Sequence, residues 1–262
     1  MAIKTDFLVK EIYVKIVTKL LAVFRTIFLL FFFSISSQLD NFYFSKSILG
    51  VVILVNILFE ITYSSQLNIF KNNHTFISKL NKLLNQFTII TSIVVVLITM
   101  LISKNTEITS HIIILCLWGI LNINSNFFLI VNRYKNSNKR VLLYYLLIAI
   151  LDILFLFLLL TIFNENNNYL AISVSVLISE LIVFSLLFSK QLFNNLRKKN
   201  DANFQFNNEK AILIKVFFIL IIISLIDISD KFFLSFLGEG KITYYTYGLY
   251  APLMIRQSLD IR

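Results

Sequence analysis

Long apolar runs alternate with short polar segments along this chain, and the runs have the length of membrane-crossing helices. A hydrocarbon core about 30 Å thick needs roughly 20 helical residues. Runs of that kind lie near 16–35, 47–67, 86–102, 111–131, 141–162, 170–188, 211–233 and 243–262. The pattern predicts an all-α, multi-pass transmembrane helix bundle. A six-helix lobe over 1–189 is expected first, then a cytoplasmic linker over 190–210, and over 211–262 helix seven and the start of helix eight, belonging to an incomplete second lobe. The linker, KQLFNNLRKKNDANFQFNNEK, is rich in Asn and basic residues and poor in apolar anchors.

Charge gives the bundle a direction. Segments 1–15, 68–85, 132–140 and 189–210 hold fifteen Lys and Arg, whereas 36–46, 103–110, 163–169 and 234–242 hold only Lys46, Lys104 and Lys241. Cytoplasmic loops retain the basic residues, so the N terminus is expected in the cytoplasm. The first run is not a cleaved secretory signal: no small-residue cleavage site follows Ile35, and Arg25 interrupts its apolar core.

Composition agrees with a bilayer as solvent. With 58% hydrophobic and 15% charged residues, too little polar surface exists to coat a soluble globule of 262 residues. The net charge of +10 is dealt out in small loop clusters rather than one contiguous patch, which argues against a nucleic-acid partner. Abundant Phe, Ile, Leu, Lys, Asn and Tyr fit an AT-rich coding sequence, so single polar residues carry little weight by themselves. The lone Cys116 lies inside a span and has no partner for an internal disulfide.

Charges inside a span cost about 2.5–3.5 kcal/mol each on insertion scales and call for a partner or a wet cavity. Lys19 and Arg25 in helix one, six residues apart and about 120° off alignment, flank one face and suit an anionic substrate such as a diphosphate. The alternative is that they pair with Glu60, Asp152 or Glu180 to hold helices together. In helix seven, Asp227, Asp230 and Lys231 share a face and are expected to neutralise one another. Lys19, Lys215 and Lys231 lie close enough to span ends to snorkel, whereas Arg25 is deeper.

Enzyme chemistry is not expected. His74 and His111 stand apart with no His or Cys at metal-ligand spacing, so neither a metal nor a cofactor is anticipated. There is no glycine-rich phosphate loop and no Ser-His-Asp set, and the longest loop is too short for a catalytic domain.

Residues 18–48, TKLLAVFRTIFLLFFFSISSQLDNFYFSKSI, resemble the first helix and outer turn of the MurJ (MviN) lipid II flippases, within the multidrug/oligosaccharidyl-lipid/polysaccharide exporter superfamily. The family's basic residue, six-residue step, Arg and Asp heading an aromatic segment correspond to Lys19, Arg25 and Asp40. SFLGEGKITYYTYGLYAP at 235–252 is similar to the family's helix seven corner, a glycine-bearing turn leading into a Tyr-rich helix eight. Together the two segments cover about 50 residues.

The resemblance implies two six-helix lobes plus two further helices, a cationic cavity between the lobes, and alternating access that turns a lipid-linked sugar diphosphate across a bacterial plasma (inner) membrane. Lys19, Arg25 and Asp40 are then the implied substrate-binding residues, and a missing C-terminal half the implied partner. Leu249 and Tyr250 replace the family's Asp-Arg pair, and apolar residues around Ile53 and Leu54 replace its paired arginines, so O-antigen or capsular intermediates stand beside lipid II as cargo. Ending at Arg262 within helix eight, the chain is expected to be a truncated product. A polymerase-like membrane enzyme and a noncatalytic membrane scaffold are the competing readings; no outer loop is long enough to favour the former.

Overall fold

The computed structural model describes residues 2–34, 36–70, 73–103, 105–135, 138–163, 168–191, 218, 222, 225–226 and 228–249. Six long helices follow in order: α1 (Ala2–Phe33), α2 (Ser37–Phe70), α3 (His74–Ile102), α4 (Thr106–Tyr134), α5 (Asn138–Ile162) and α6 (Asn168–Leu187). Two shorter helical stretches lie at 228–235 (α7) and 241–249 (α8), and the described residues contain no strand. Five helices are long and apolar enough among the described residues to cross a membrane. The expected all-α multi-pass bundle is therefore the fold.

The helices outrun the apolar runs that predicted them. The second run begins at 47 but α2 begins at Ser37, and the third begins at 86 but α3 begins at His74. Backbone hydrogen bonding continues past the hydrophobic stretch wherever no residue stops it, and only two or three polar residues then remain to turn the chain. Asn73 caps α3 by accepting from the backbone N–H groups of Thr75 and Phe76, and Asn105 caps α4 by accepting from Glu107. Glu107 in the first turn of α4 and Arg133 in its last lie at the ends their charges favour.

Cross-helix contacts fix the topology. Ser45 near the start of α2 donates to Ile108 near the start of α4, and Asn132 near the end of α4 bonds Gln191 just past α6, so α2, α4 and α6 run parallel. Arg25 pairs with Asp152 and Phe28 stacks near Phe157, so α1 runs parallel to α5. Tyr144 meets Glu180 while Asp152 meets Ser175, which makes α5 antiparallel to α6.

At the centre is α4. Gly119 lets α2 approach it closely: a Cβ there would lie 3.2 Å from Leu49 Cδ1, the small-residue packing that membrane helices use in the absence of a hydrophobic drive between them. The outer faces are left to lipid, with Phe31 81% and Leu101 86% exposed. Such apolar surface is tolerable only where the solvent is hydrocarbon.

Candidate functional site

Inside the bundle a cavity of about 360 Å³ is walled by α1, α2, α4, α5 and α6. Its lining is unexpectedly polar for the middle of apolar helices, with Arg25, Lys46, Asn122, Tyr144, Asp152 and Glu180 all reaching it. Each helix delivers its contribution from one face. On α4 the spacing Trp118, Asn122, Asn126 is i, i+4, i+8, and on α5 Tyr145, Ile148 and Asp152 are likewise stacked.

The two carboxyl groups in this cavity are held differently. Asp152 Oδ2 lies 2.6 Å from Arg25 Nε, with the side chains 18% and 16% exposed, and Asp152 Oδ1 accepts from Ser175 Oγ at 2.9 Å. Arg25 is thereby anchored by one edge of its guanidinium. Its Nη2 is buried without a hydrogen-bond partner.

Glu180 is fully buried and has only neutral hydrogen-bond donors around it. Ser125 Oγ donates to its Oε1 at 2.5 Å, the Tyr144 hydroxyl lies 2.8 Å from Oε1 and 3.0 Å from Oε2, and Asn122 Nδ2 donates to Oε2 at 3.2 Å. Lys46 borders the same cavity, and no salt bridge joins it to either carboxyl group among the described residues.

A second, larger space of about 1250 Å³ lies between α2, α3 and α7. Its walls are mostly apolar, with Val51, Ile90, Val94, Ile98, Leu225 and Phe232 among them, and its charged side chains, Asp40 and Glu239, lie at one end. At that end Asp40 ties α2 to the 238–243 corner. Its Oδ2 accepts from the Gly240 N–H at 2.6 Å, and its Oδ1 accepts from the Thr243 N–H at 2.8 Å and the Thr243 hydroxyl at 2.6 Å. Gly238 and Gly240 both have positive φ, 112° and 80°, which L side chains rarely adopt, and so permit the tight turn that aims these N–H groups at Asp40. The Tyr43 hydroxyl donates to that of Tyr247 at 3.0 Å beside it.

The residues singled out by sequence thus part company. Arg25, Asp152 and Glu180 converge on one cavity. Asp40 serves the corner with both oxygens, 200 and 203 residues distant in sequence from its donors. Lys19 is partly buried on α1 and is not among the residues lining either space. Asp230 accepts from the Tyr245 hydroxyl at 3.2 Å and Lys231 donates to Ser47, so both look outward from α7 to neighbouring helices. Glu60 sits on α2 with its side chain outside the described residues, and Lys215 and Asp227 lie outside them altogether.

Sequence reasoning passed over Lys46, Asn122, Ser125, Asn126 and Tyr144. For Asn122 and Asn126 the available signal was their four-residue spacing on α4, which stacks them on one helix face; Lys46 on α2 and Tyr144 on α5 carried no such pattern. Elsewhere Asn85 and Asn124 exchange amide hydrogen bonds at 3.0 and 2.6 Å, and Asn132 and Gln191 do so at 3.3 and 3.1 Å. Asparagines that compositional bias would dismiss are here the polar links between helices. No protein-family model, curated protein or solved structure matches this chain.

Proposed function

We propose that this chain works as a transporter of the flippase type, or as one lobe of one, carrying a lipid-linked saccharide diphosphate across the membrane by alternating access. The observation that carries the reading is the cationic side of the inner cavity. Arg25 is fixed at membrane depth by Asp152 while its Nη2 remains buried and unpartnered, and Lys46 borders the same space. A buried donor without an acceptor is costly, and a phosphate oxygen satisfies it with a charge-assisted bond. The mostly apolar space beside α3 suits the hydrocarbon tail of such an amphiphile, since it is bounded mostly by aliphatic and aromatic side chains with its charged groups at one end. The expected setting is the bacterial plasma membrane with the N terminus in the cytoplasm, on the basic-residue asymmetry of the loops.

Binding to the purified chain in lipid nanodiscs tests the reading. A polyprenyl-diphosphate saccharide should bind at least about tenfold more tightly than a neutral lipid with the same tail, and Arg25→Ala should remove about that factor. Arg25→Lys should restore part of it, because an ammonium lacks the planar fork that serves Asp152 and a phosphate together. Equal binding of the charged and neutral lipids, or indifference to Arg25→Ala, would overturn the proposal.

A further inference from the structure

We infer that Glu180 is a reversible proton-binding site, alternating between carboxylate and carboxylic acid inside the cavity. From α1 the charged group bordering the cavity is Arg25, already paired with Asp152; from α2 it is Lys46; from α5 the titratable groups are Tyr144, Tyr145 and Asp152; α4 and α6 add only neutral polar side chains besides Glu180 itself. Asp152 has a cationic partner, the Arg25 guanidinium 2.6 Å away. Glu180 has no such partner, and burying a carboxylate on neutral donors alone leaves its charge poorly compensated.

In both protonation states the carboxyl group itself finds hydrogen-bond partners in place. As a carboxylate, Glu180 accepts from Ser125, Tyr144 and Asn122. The amide nitrogen of Asn122 can only donate, so it keeps Oε2 as an acceptor in either state. Hydroxyl groups donate or accept according to how they turn. A proton taken from cavity water therefore goes to Oε1, and the new O–H donates to Ser125 Oγ, 2.5 Å away, once that hydroxyl has rotated. Such a rotamer change needs no movement of the helices. The cavity that Glu180 lines, about 360 Å³, has room for on the order of ten waters.

The geometry favours a proton over a metal cation. Sodium-like hard ions want several convergent oxygens, whereas Asn122 turns its NH₂ towards Glu180, and Arg25 and Lys46 place positive charge in the same space. Any use of the site to couple transport to a proton gradient rests on the transporter reading above. The protonation itself does not.

Infrared difference spectroscopy of the full chain in lipid, stepped in pH, reads the carboxylic acid carbonyl directly. A band should appear reversibly as pH falls, vanish in Glu180→Gln, persist in Asp152→Asn, and be unaffected by sodium at constant pH. Tyr144→Phe and Ser125→Ala keep the carboxyl group and remove one hydrogen-bond partner each, so they should shift the band rather than erase it. They also keep the test open should Glu180→Gln fail to fold. A band that never titrates, that neither partner variant moves, or that sodium removes at fixed pH overturns the inference. Failure of the diphosphate lipid to bind would refute the transporter reading while leaving this band intact.

Discussion

The seam between α1 and α5 and the seam between α4 and α6 each bury a carboxyl group in one cavity, and they do so by opposite means. Asp152 is matched by Arg25, a charge for a charge, whereas Glu180 is surrounded by a serine, a tyrosine and an asparagine. The first arrangement holds two helices in register through a charge pair. The second joins three helices through groups that can exchange donor and acceptor roles. A membrane interior tolerates both because each removes or disperses charge that hydrocarbon would penalise. Only the second leaves a carboxyl group without a cationic partner.

The sharpest way to break the contrast is to strip each carboxyl group of its support. Arg25→Ala should destabilise the chain most, by about 3–5 kcal/mol, because it strands a mostly buried Asp152. The double variant Arg25→Ala/Asp152→Ala should recover a good part of that loss in thermal unfolding measured in detergent. If the single variant unfolds no earlier than wild type, the pair is not holding α1 to α5.

A smaller loss is expected at the corner. Asp40→Ala leaves the Gly240 and Thr243 N–H groups without their acceptor, the equivalent of removing a helix N-cap, at about 0.5–2 kcal/mol. Protection of the Thr243 amide in hydrogen exchange should fall with it. Unchanged protection would mean that α8 does not depend on Asp40 for its start.

Smaller again is the cost of losing one neutral link, since interhelical hydrogen bonds in a bilayer average about 0.6 kcal/mol. A double-mutant cycle on Asn85→Ala and Asn124→Ala should return a coupling near that value for the reciprocal amide pair. The Ser125→Ala and Glu180→Gln pair should couple more strongly, because the hydrogen bond there reaches a carboxyl group. Equal coupling in the two cycles would remove the distinction between a structural amide link and an ionisable centre.

Orientation is open to a measurement without energetics. Cysteines placed at Lys135, just past α4, and at Asn166, between α5 and α6, should be labelled from opposite sides of the membrane. Labelling of both by an impermeant outer reagent would contradict the topology drawn from the loop charges.

The order of the long helices was legible in the sequence, and for five of them apolar length, which bilayer thickness dictates, marks a membrane crossing segment by segment. That an intramembrane charge needs a partner was also legible, and Arg25, Asp152 and Glu180 stood out on that ground alone. Which carboxyl group receives the arginine was not. That choice depends on α1 lying parallel to α5 while α4 and α6 close round Glu180, and helix pairing is set by packing among surfaces that are nearly all apolar and so carry little distinguishing pattern. The roles of Asp40 and of the asparagines were hidden for the same reason: Asp40 finds its donors about 200 residues away, and Asn124 its partner 39 residues away. Hydrophobic length is a property of one segment and is readable there; hydrogen-bond partnership is a property of two segments brought within about 3 Å and exists only once the helices have packed.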